Sequence, residues 1–436
     1  MNKISTLIIT IIISINLYSQ TPISGNQSGT WSLSNSPYEV MGELTVPTGQ
    51  TLIIEAGVEI NFKGHYKFNV DGKILATGTE AEGIIFTTDN QATGWGGVRL
   101  DGTPDISTFT FCTFEYGKTS GSYPDMHGGA VLLLNANAEF YNCIFAHNDA
   151  TADNNGIGGA VYAFNTGTST ETLTRFIDCQ FTDNHAYGEG GAMRLTNDGH
   201  TEITRCQFIN NNCGYGGGAI HIYTALDTQF TDCLFYQNSS NNSGGGAIKA
   251  MNPSVTLDFI NCTFAYNAAL GAGEGGALDL AYAEINMVNS IIYENTQTYG
   301  GEINIGMNAY AEINYSNLEM PADATGANNT NVNPLFVATA TGDFHLQSTS
   351  PCIDAGTDVG LPFAGTAPDM GCYEYGFGID VIDYTSDDFT IYPNPSKGLL
   401  QIKTNTSMQN IKLIDVLGKI VMNKSLNGDK NGFIDT

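Results

Sequence analysis

A Gly-Gly-Ala triplet returns at Gly128, Gly158, Gly190, Gly217, Gly245 and Gly275, and weakens to Gly-Gly-Glu at Gly300, with intervals of 25 to 32 residues. Between these marks runs a second signature, Cys-x-Phe-x-x-Asn, at Cys143 to Asn148, Cys179 to Asn184, Cys206 to Asn211, Cys233 to Asn238 and Cys262 to Asn267. Cys112-Thr113-Phe114 opens it early and Ser290 to Asn295 closes it imperfectly. Turn residues recurring at a near-constant period restrict a chain to stacked units, each burying its apolar face against the next.

The residues after each Gly-Gly-Ala alternate apolar and variable, as in Ile220-His221-Ile222-Tyr223, which is strand periodicity with one buried face. A second apolar column, Phe140, Phe176, Ile203, Phe230 and Phe259, stands three residues before each Cys. Three is an odd step for a strand, so the chain must turn a corner there. Asn142, Asp178, Asp232 and Asn261 occupy the position before Cys, and these types tolerate the left-handed conformation a corner needs. Three short strands per repeat, each stacking on its counterpart about 4.8 Å away, describe a parallel β-helix of about ten coils. The hand of parallel crossovers makes it right-handed. Leu44, Val46, Leu52, Ile54, Val58, Ile60 and Phe62 alternate in the same way without Gly-Gly-Ala and read as first, irregular coils.

The chain has 436 residues with 44 acidic and 16 basic side chains, a formal charge of −28. So few cations exclude general attraction to nucleic acid or to an anionic membrane. Lys3 followed by an apolar run from Leu7 to Leu17, with Ser19-Gln20 as a cleavage point, reads as a signal peptide too short to span a bilayer. No other stretch is apolar enough to insert in a membrane.

Six of the nine Cys, from Cys112 to Cys262, share one repeat position, so they are expected to pack as a ladder of buried thiols. A disulfide between Cys352 and Cys372 is the remaining pairing option, and Cys213 is left over. The Asn column from Asn148 to Asn295 is expected to bond along the stack. No spacing points to a metal or cofactor site, although so many carboxylates leave calcium open.

One column breaks the pattern: two residues after each Ala, on the outer face of the first sheet, the chain reads Leu132, Tyr162, Arg194, His221, Lys249, Asp279, Asn304. Arg194 and Lys249 are two of only four basic residues between 121 and 320, against twenty acidic ones, and they flank the column's single His. Phe164, Tyr223 and Met251 follow in the next outward column. Two like charges about 5 Å apart repel by about 0.8 kcal/mol in water and roughly 3 kcal/mol at an effective dielectric near 20, so the cations need an offset, for which Asp279 or an anionic ligand would serve. Flanking cations should hold His221 neutral, the form a general base requires. The candidate ligand-binding set is therefore Tyr162, Phe164, Arg194, His221, Tyr223, Lys249 and Asp279, with His221, Lys249 and Arg194 as catalytic candidates. The alternative is a solvated face decorated by coincidence.

The Gly-Gly-Ala and Phe-x-x-Asn repeat resembles that of polymorphic outer-membrane proteins, which are surface adhesins and autotransporters. Leu44-Thr-Val-Pro-Thr-Gly, Thr51-Leu-Ile-Ile-Glu-Ala-Gly57 and Trp95-Gly-Gly97 are similar to the first coils of pectate-lyase-like right-handed β-helix proteins. Asn333-Pro-Leu-Phe336, Gly342-Asp-Phe-His-Leu346, Ser350-Pro-Cys-Ile-Asp-Ala-Gly356 and Asp369-Met-Gly-Cys-Tyr-Glu-Tyr375 look like the closing segment of secreted β-helix proteins of the choice-of-anchor kind. Tyr392-Pro-Asn-Pro395, Gly398 and Ile411 to Val421 resemble the C-terminal sorting domain read by the type IX secretion system. That resemblance implies export to the cell surface or medium through the secretion machinery. It also implies further strands beyond Thr436, and hence an incomplete domain.

The expected organisation is a signal peptide over 1–19 and an all-β, right-handed parallel β-helix over 20–376. The helix divides into irregular coils at 40–110, repeats at 111–320 and a closing segment at 321–376. A linker over 377–389 then leads to a small β-sandwich-like sorting domain over 390–436. Three functions remain open: binding of a polysaccharide or cell surface through an extended sheet face, lyase action on a uronate-containing glycan, or a passive structural role. The paired aspartates and Gly-His-Gly of β-helix polygalacturonases are missing, which disfavours hydrolysis.

Overall fold

The computed structural model describes residues 20–376, apart from 104, 152–153, 165–172, 197–199 and 225–227, together with the backbone of five strands in the tail. The expected signal peptide and residues 377–388 of the expected linker lie outside the described residues. Residues 21–330 wind into an all-β parallel solenoid of about nine turns, close to the ten expected. Every strand of its main sheet pairs in parallel with the strand one coil on, for example Val131–Leu134 with Val161–Phe164 and then Met193–Thr196.

Each corner has a left-handed residue. The corner before Cys is built by Asn142, Asp178, Arg205, Asp232, Asn261 and Asn289, all with φ between 51° and 55°. The Gly-Gly turn has its first glycine at positive φ in every repeat, 62° at Gly128 and 74° at Gly245. A third left-handed corner is not evident in the sequence: His147, Asp183, Asn210, Gln237, Tyr266 and Glu294, each just before the Asn column, have φ between 53° and 56°. This corner launches a fourth, two-residue ladder that the three-strand expectation lacks, running through Asp149–Ala150, His185–Ala186, Asn212–Cys213 and Ser239–Ser240. Cys213 belongs there, buried in a column of small residues with Ala150 and Ala186.

Inside the coils the columns become ladders. Phe114, Phe145, Phe181, Phe208, Phe235 and Phe264 stack with ring centroids 4.6 to 5.0 Å apart. The six cysteines beside them are buried and free, each thiol donating to a carbonyl of the preceding coil, such as Cys206 Sγ to Phe176 O at 3.3 Å. Burial pushes the thiols of Cys143, Cys179, Cys206 and Cys262 well above their ordinary range, which keeps them inert. The Asn column works as expected. Asn211 Nδ2 donates to Asn238 Oδ1 at 2.9 Å and to Phe181 O at 2.9 Å, while its own Oδ1 accepts from Asn184. The chain ends this ladder by substitution, with Glu302 Oε1 accepting from the Asn295 amide at 2.6 Å.

The closing segment does more than end the stack. After residues 325–330 bridge onto the last coil, the chain runs back along the outer face of the third sheet. Phe336, Phe344, Leu346, Cys352 and Met370 pack there against Leu234, Tyr236 and Ile291. Gln207 Nε2 donates to Tyr373 Oη at 2.8 Å, and Asn289 exchanges bonds with the Thr357 backbone. Cys352 and Cys372 are both free thiols. In the tail, Phe389–Tyr392, Leu399–Thr404 and Asn431–Asp435 form one antiparallel sheet, and Asn410–Ile414 pairs with Ile420–Ser425 in another.

Candidate functional site

The column marked in the sequence is a true register column. Leu132, Tyr162, Arg194, His221, Lys249, Asp279 and Asn304 pair in succession, one per coil, and the column continues upstream through Arg99 to Asn69. Arg99 had only a loose signal in the sequence: Gly96-Gly97 precedes it one residue closer than Gly-Gly precedes the rest, and there the second glycine, Gly97, has the positive φ, 74°.

The column points out of its sheet, yet it is not solvated. His221 is 1% exposed and Arg194 7%. The cover comes from the residue before each Gly-Gly: His127, Ile157, Glu189, Gly216, Gly244 and Glu274. These stack through bonds such as Gly158 N to Glu189 O at 2.9 Å and Gly217 N to Gly244 O at 3.3 Å. Glycine is required at two of these positions. Gly216 has φ of 122°, and a Cβ on Gly244 would lie 2.2 Å from the Glu274 carbonyl oxygen and 2.4 Å from the Asp279 carboxylate. The turn therefore folds down as a roof over the column, and neither of the sequence expectations, open groove or solvated face, describes it.

Charge under the roof is balanced internally. Arg194 Nη1 lies 2.5 Å from Glu189 Oε2, its Nε donates to Thr196 Oγ1 at 2.9 Å, and its guanidinium sits 5.2 Å from the Tyr223 ring. Lys249 Nζ lies 3.1 Å from Asp279 and donates to Ser243 Oγ at 2.7 Å, and Asn304 donates to Asp279 at 2.8 Å. Burial raises the Glu189 carboxyl, but its contacts with His221, Arg194 and Lys249 outweigh that and bring it to about 2. Burial lowers His221 to about 4, with Arg194 adding to the effect and Glu189 opposing it. The expectation of a neutral His221 thus agrees in direction, with burial rather than cationic repulsion as the leading cause. Glu189 Oε2 is 3.1 Å from His221 Nδ1 but outside hydrogen-bonding geometry, so neither ring nitrogen has a hydrogen-bond partner.

Tyr162 and Phe164 join a different group, an apolar cluster with Leu132, Leu134 and Ile157. His127 packs its ring 4.8 Å from Tyr162, and burial followed by repulsion from Arg194 and Arg99 lowers it to about 4. Of the seven candidates, Tyr223 alone is exposed, at 44%. Sequence reasoning missed Arg99, His127 and Glu189, the last two because they lie in turns whose length varies between repeats. Among the described residues, no three His, Cys, Asp or Glu side chains converge so as to hold a metal ion.

Residues 25–174 match the family described as a pectate-lyase like beta helix domain, and residues 390–436 match the secretion system C-terminal sorting domain. The chain carries both domains. The sorting domain indicates export to the cell surface or extracellular space and engagement of the secretion machinery. No helix among the described residues is long and apolar enough to cross a membrane. Among solved structures the chain is similar to the crystal structure of pectate lyase Pel9A, with 14% identity and a TM-score of 0.42 over 76% of this chain and 88% of that one. No curated protein matches the chain.

Proposed function

We propose that this secreted β-helix protein binds a glycan or another cell surface through the first-sheet face, with the roofed column as the rigid base of that face. The observation that carries this reading is the distribution of exposed aromatic side chains. Tyr187, Tyr215 and Tyr299 stand exposed on the Gly-Gly turns, along one margin of the roof. Tyr223, Tyr282 and Tyr310 stand exposed at or beyond the ends of the first-sheet strands, along the other. Solvent-exposed rings repeated on a stiff solenoid give a sugar chain flat apolar faces with hydroxyl groups beside them, at no cost in ordering the protein.

The lyase alternative needs a base that meets substrate and a cation free to neutralise a carboxylate. His221 is sealed, Arg194 is paired with Glu189, and Lys249 is held by Asp279 and Ser243. Its one supporting observation is the neutral His221 ring with both nitrogens unpartnered.

The test passes the purified chain over immobilised neutral and uronate glycans while following ultraviolet absorbance of unsaturated uronides. Retention that falls in Tyr215→Ala, Tyr223→Ala and Tyr299→Ala, without absorbance, supports binding through the aromatic margins. Absorbance that stops in His221→Ala establishes a lyase and overturns the reading.

A further inference from the structure

The outer face of the second sheet carries its own register column: Glu139, Arg175, Glu202, Gln229, Asp258, Asn286 and Glu312. Its upper part is an ion triple. Arg175 Nη1 is 2.9 Å from Glu139 and its Nε 2.9 Å from Glu202, so one guanidinium spans carboxylates one coil to either side. Four coils on, the same arrangement recurs with its centre changed. Asp258 and Glu312 flank Asn286, which is neutral and shorter than arginine.

Asn286 Nδ2 reaches only one side, donating to Asp258 Oδ1 at 2.9 Å. Glu312 Oε1 accepts instead from Asn314 Nδ2 at 3.2 Å. Each carboxylate keeps its second oxygen, and among the described residues neither is paired with a cation. A cleft of about 570 Å³ opens at this place. Its floor is apolar, made by Ile260, Val288 and the Tyr315 side chain, and Thr357 of the closing segment edges it.

We propose that this cleft binds an arginine side chain of a partner polypeptide, whose guanidinium takes the place between Asp258 and Glu312 that Arg175 takes between Glu139 and Glu202. A planar guanidinium can donate to two carboxylates at once, which a point-like ammonium does less well. The aliphatic stem lies on Ile260 and Val288, and the cation meets the Tyr315 ring. With a chain charge of −28, the approach of a basic partner is favoured at low salt. The inference is independent of the glycan reading, since no residue of the cleft belongs to the aromatic set.

The test measures binding of a short fluorescent peptide with one arginine, and of its citrulline twin, to the full chain. The arginine peptide should bind, weaken at higher salt, and lose at least tenfold in affinity when citrulline replaces arginine or when Asp258→Asn and Glu312→Gln are combined. Asn286→Arg would place the chain's own guanidinium in the gap, so it should abolish binding while leaving the melting temperature unchanged or higher. Glu202→Gln, on the same column but outside the cleft, should leave affinity unchanged. Equal binding of the citrulline twin, no binding of either peptide, or unaltered affinity in Asn286→Arg overturns the proposal. Competition by glucosamine as strong as that by the peptide also overturns it, in favour of an amino sugar.

Discussion

Glu189 and Arg194 stand five residues apart on either side of a Gly-Gly turn, and their 2.5 Å contact ties the turn to the strand that it roofs. The carboxylate comes from outside the strand register and the guanidinium from within it. This pair converts an outward sheet column into an enclosed layer.

Removing one partner should therefore be more damaging than removing both. Glu189→Gln leaves Arg194 buried without a countercharge and should lower stability by about 3–5 kcal/mol, whereas Glu189→Gln with Arg194→Met should recover much of that loss. Denaturant unfolding of the single and double variants measures the difference. Equal loss in all variants would mean that the pair does not hold the roof.

His221 and His127 set an acid limit. Both titrate near 4 in the fold and near 6.5 when unfolded, so between those values the unfolded chain binds more protons. The histidine contribution to stability then rises with pH from about 4 to about 6.5 and levels off above it, each histidine supplying on the order of 3 kcal/mol of the change. His221→Asn should flatten that slope. Unfolding free energy measured from pH 4 to 8 checks it.

Glu374 acts with the opposite sign. Burial, with Asp369 nearby, raises its carboxyl to about 7 although it accepts bonds from the Asp369 and Ala364 amides. The folded chain binds the extra proton between about 4.5 and 7, so its contribution favours the fold at low pH and is lost as pH rises through 7. Glu374→Gln should gain stability relative to wild type above pH 7. A melting-temperature series at pH 5 and pH 8 separates this from the histidine effect.

Asn211→Ala should be among the most disruptive single changes in the coils. It removes donors to Asn238 and Phe181 and an acceptor for two Asn184 groups, leaving buried polar atoms unpaired at about 1–3 kcal/mol each. Amide exchange should quicken in the two adjoining coils first, and a uniform change along the solenoid would contradict a local ladder.

The ladder thiols should not react until the chain unfolds. Cys206→Ala is expected to cost about 1 kcal/mol, because the column already tolerates Ser290 and Ser316 at its lower end. Alkylation in native buffer should reach Cys372 at most, the one Cys that is not fully enclosed. Rapid labelling of all nine thiols would show that the coils open.

What the sequence determined was most of what repeats, the corner before the Asn column and its two-residue ladder excepted. A period near 29 residues brings every position to stand over its counterpart, so the Phe, Cys and Asn ladders and the register of Arg194, His221 and Lys249 could all be read by aligning the chain with itself. The corner before Cys was legible from an odd step between inward residues, and the Gly-Gly turn from its glycines. Tertiary structure decided what does not repeat. Whether an outward column faces water depends on where a turn of variable length lays its backbone, and that placed Glu189 and Gly216 over Arg194 and Lys249. Which stretch of sheet is left open depends likewise on the return path of the closing segment, whose contacts at Gln207 and Asn289 join residues 166 and 68 positions apart. Local alternation specifies which side of a strand a residue takes, whereas its solvation is set by segments distant in the chain, and a single sequence carries no periodicity that marks them.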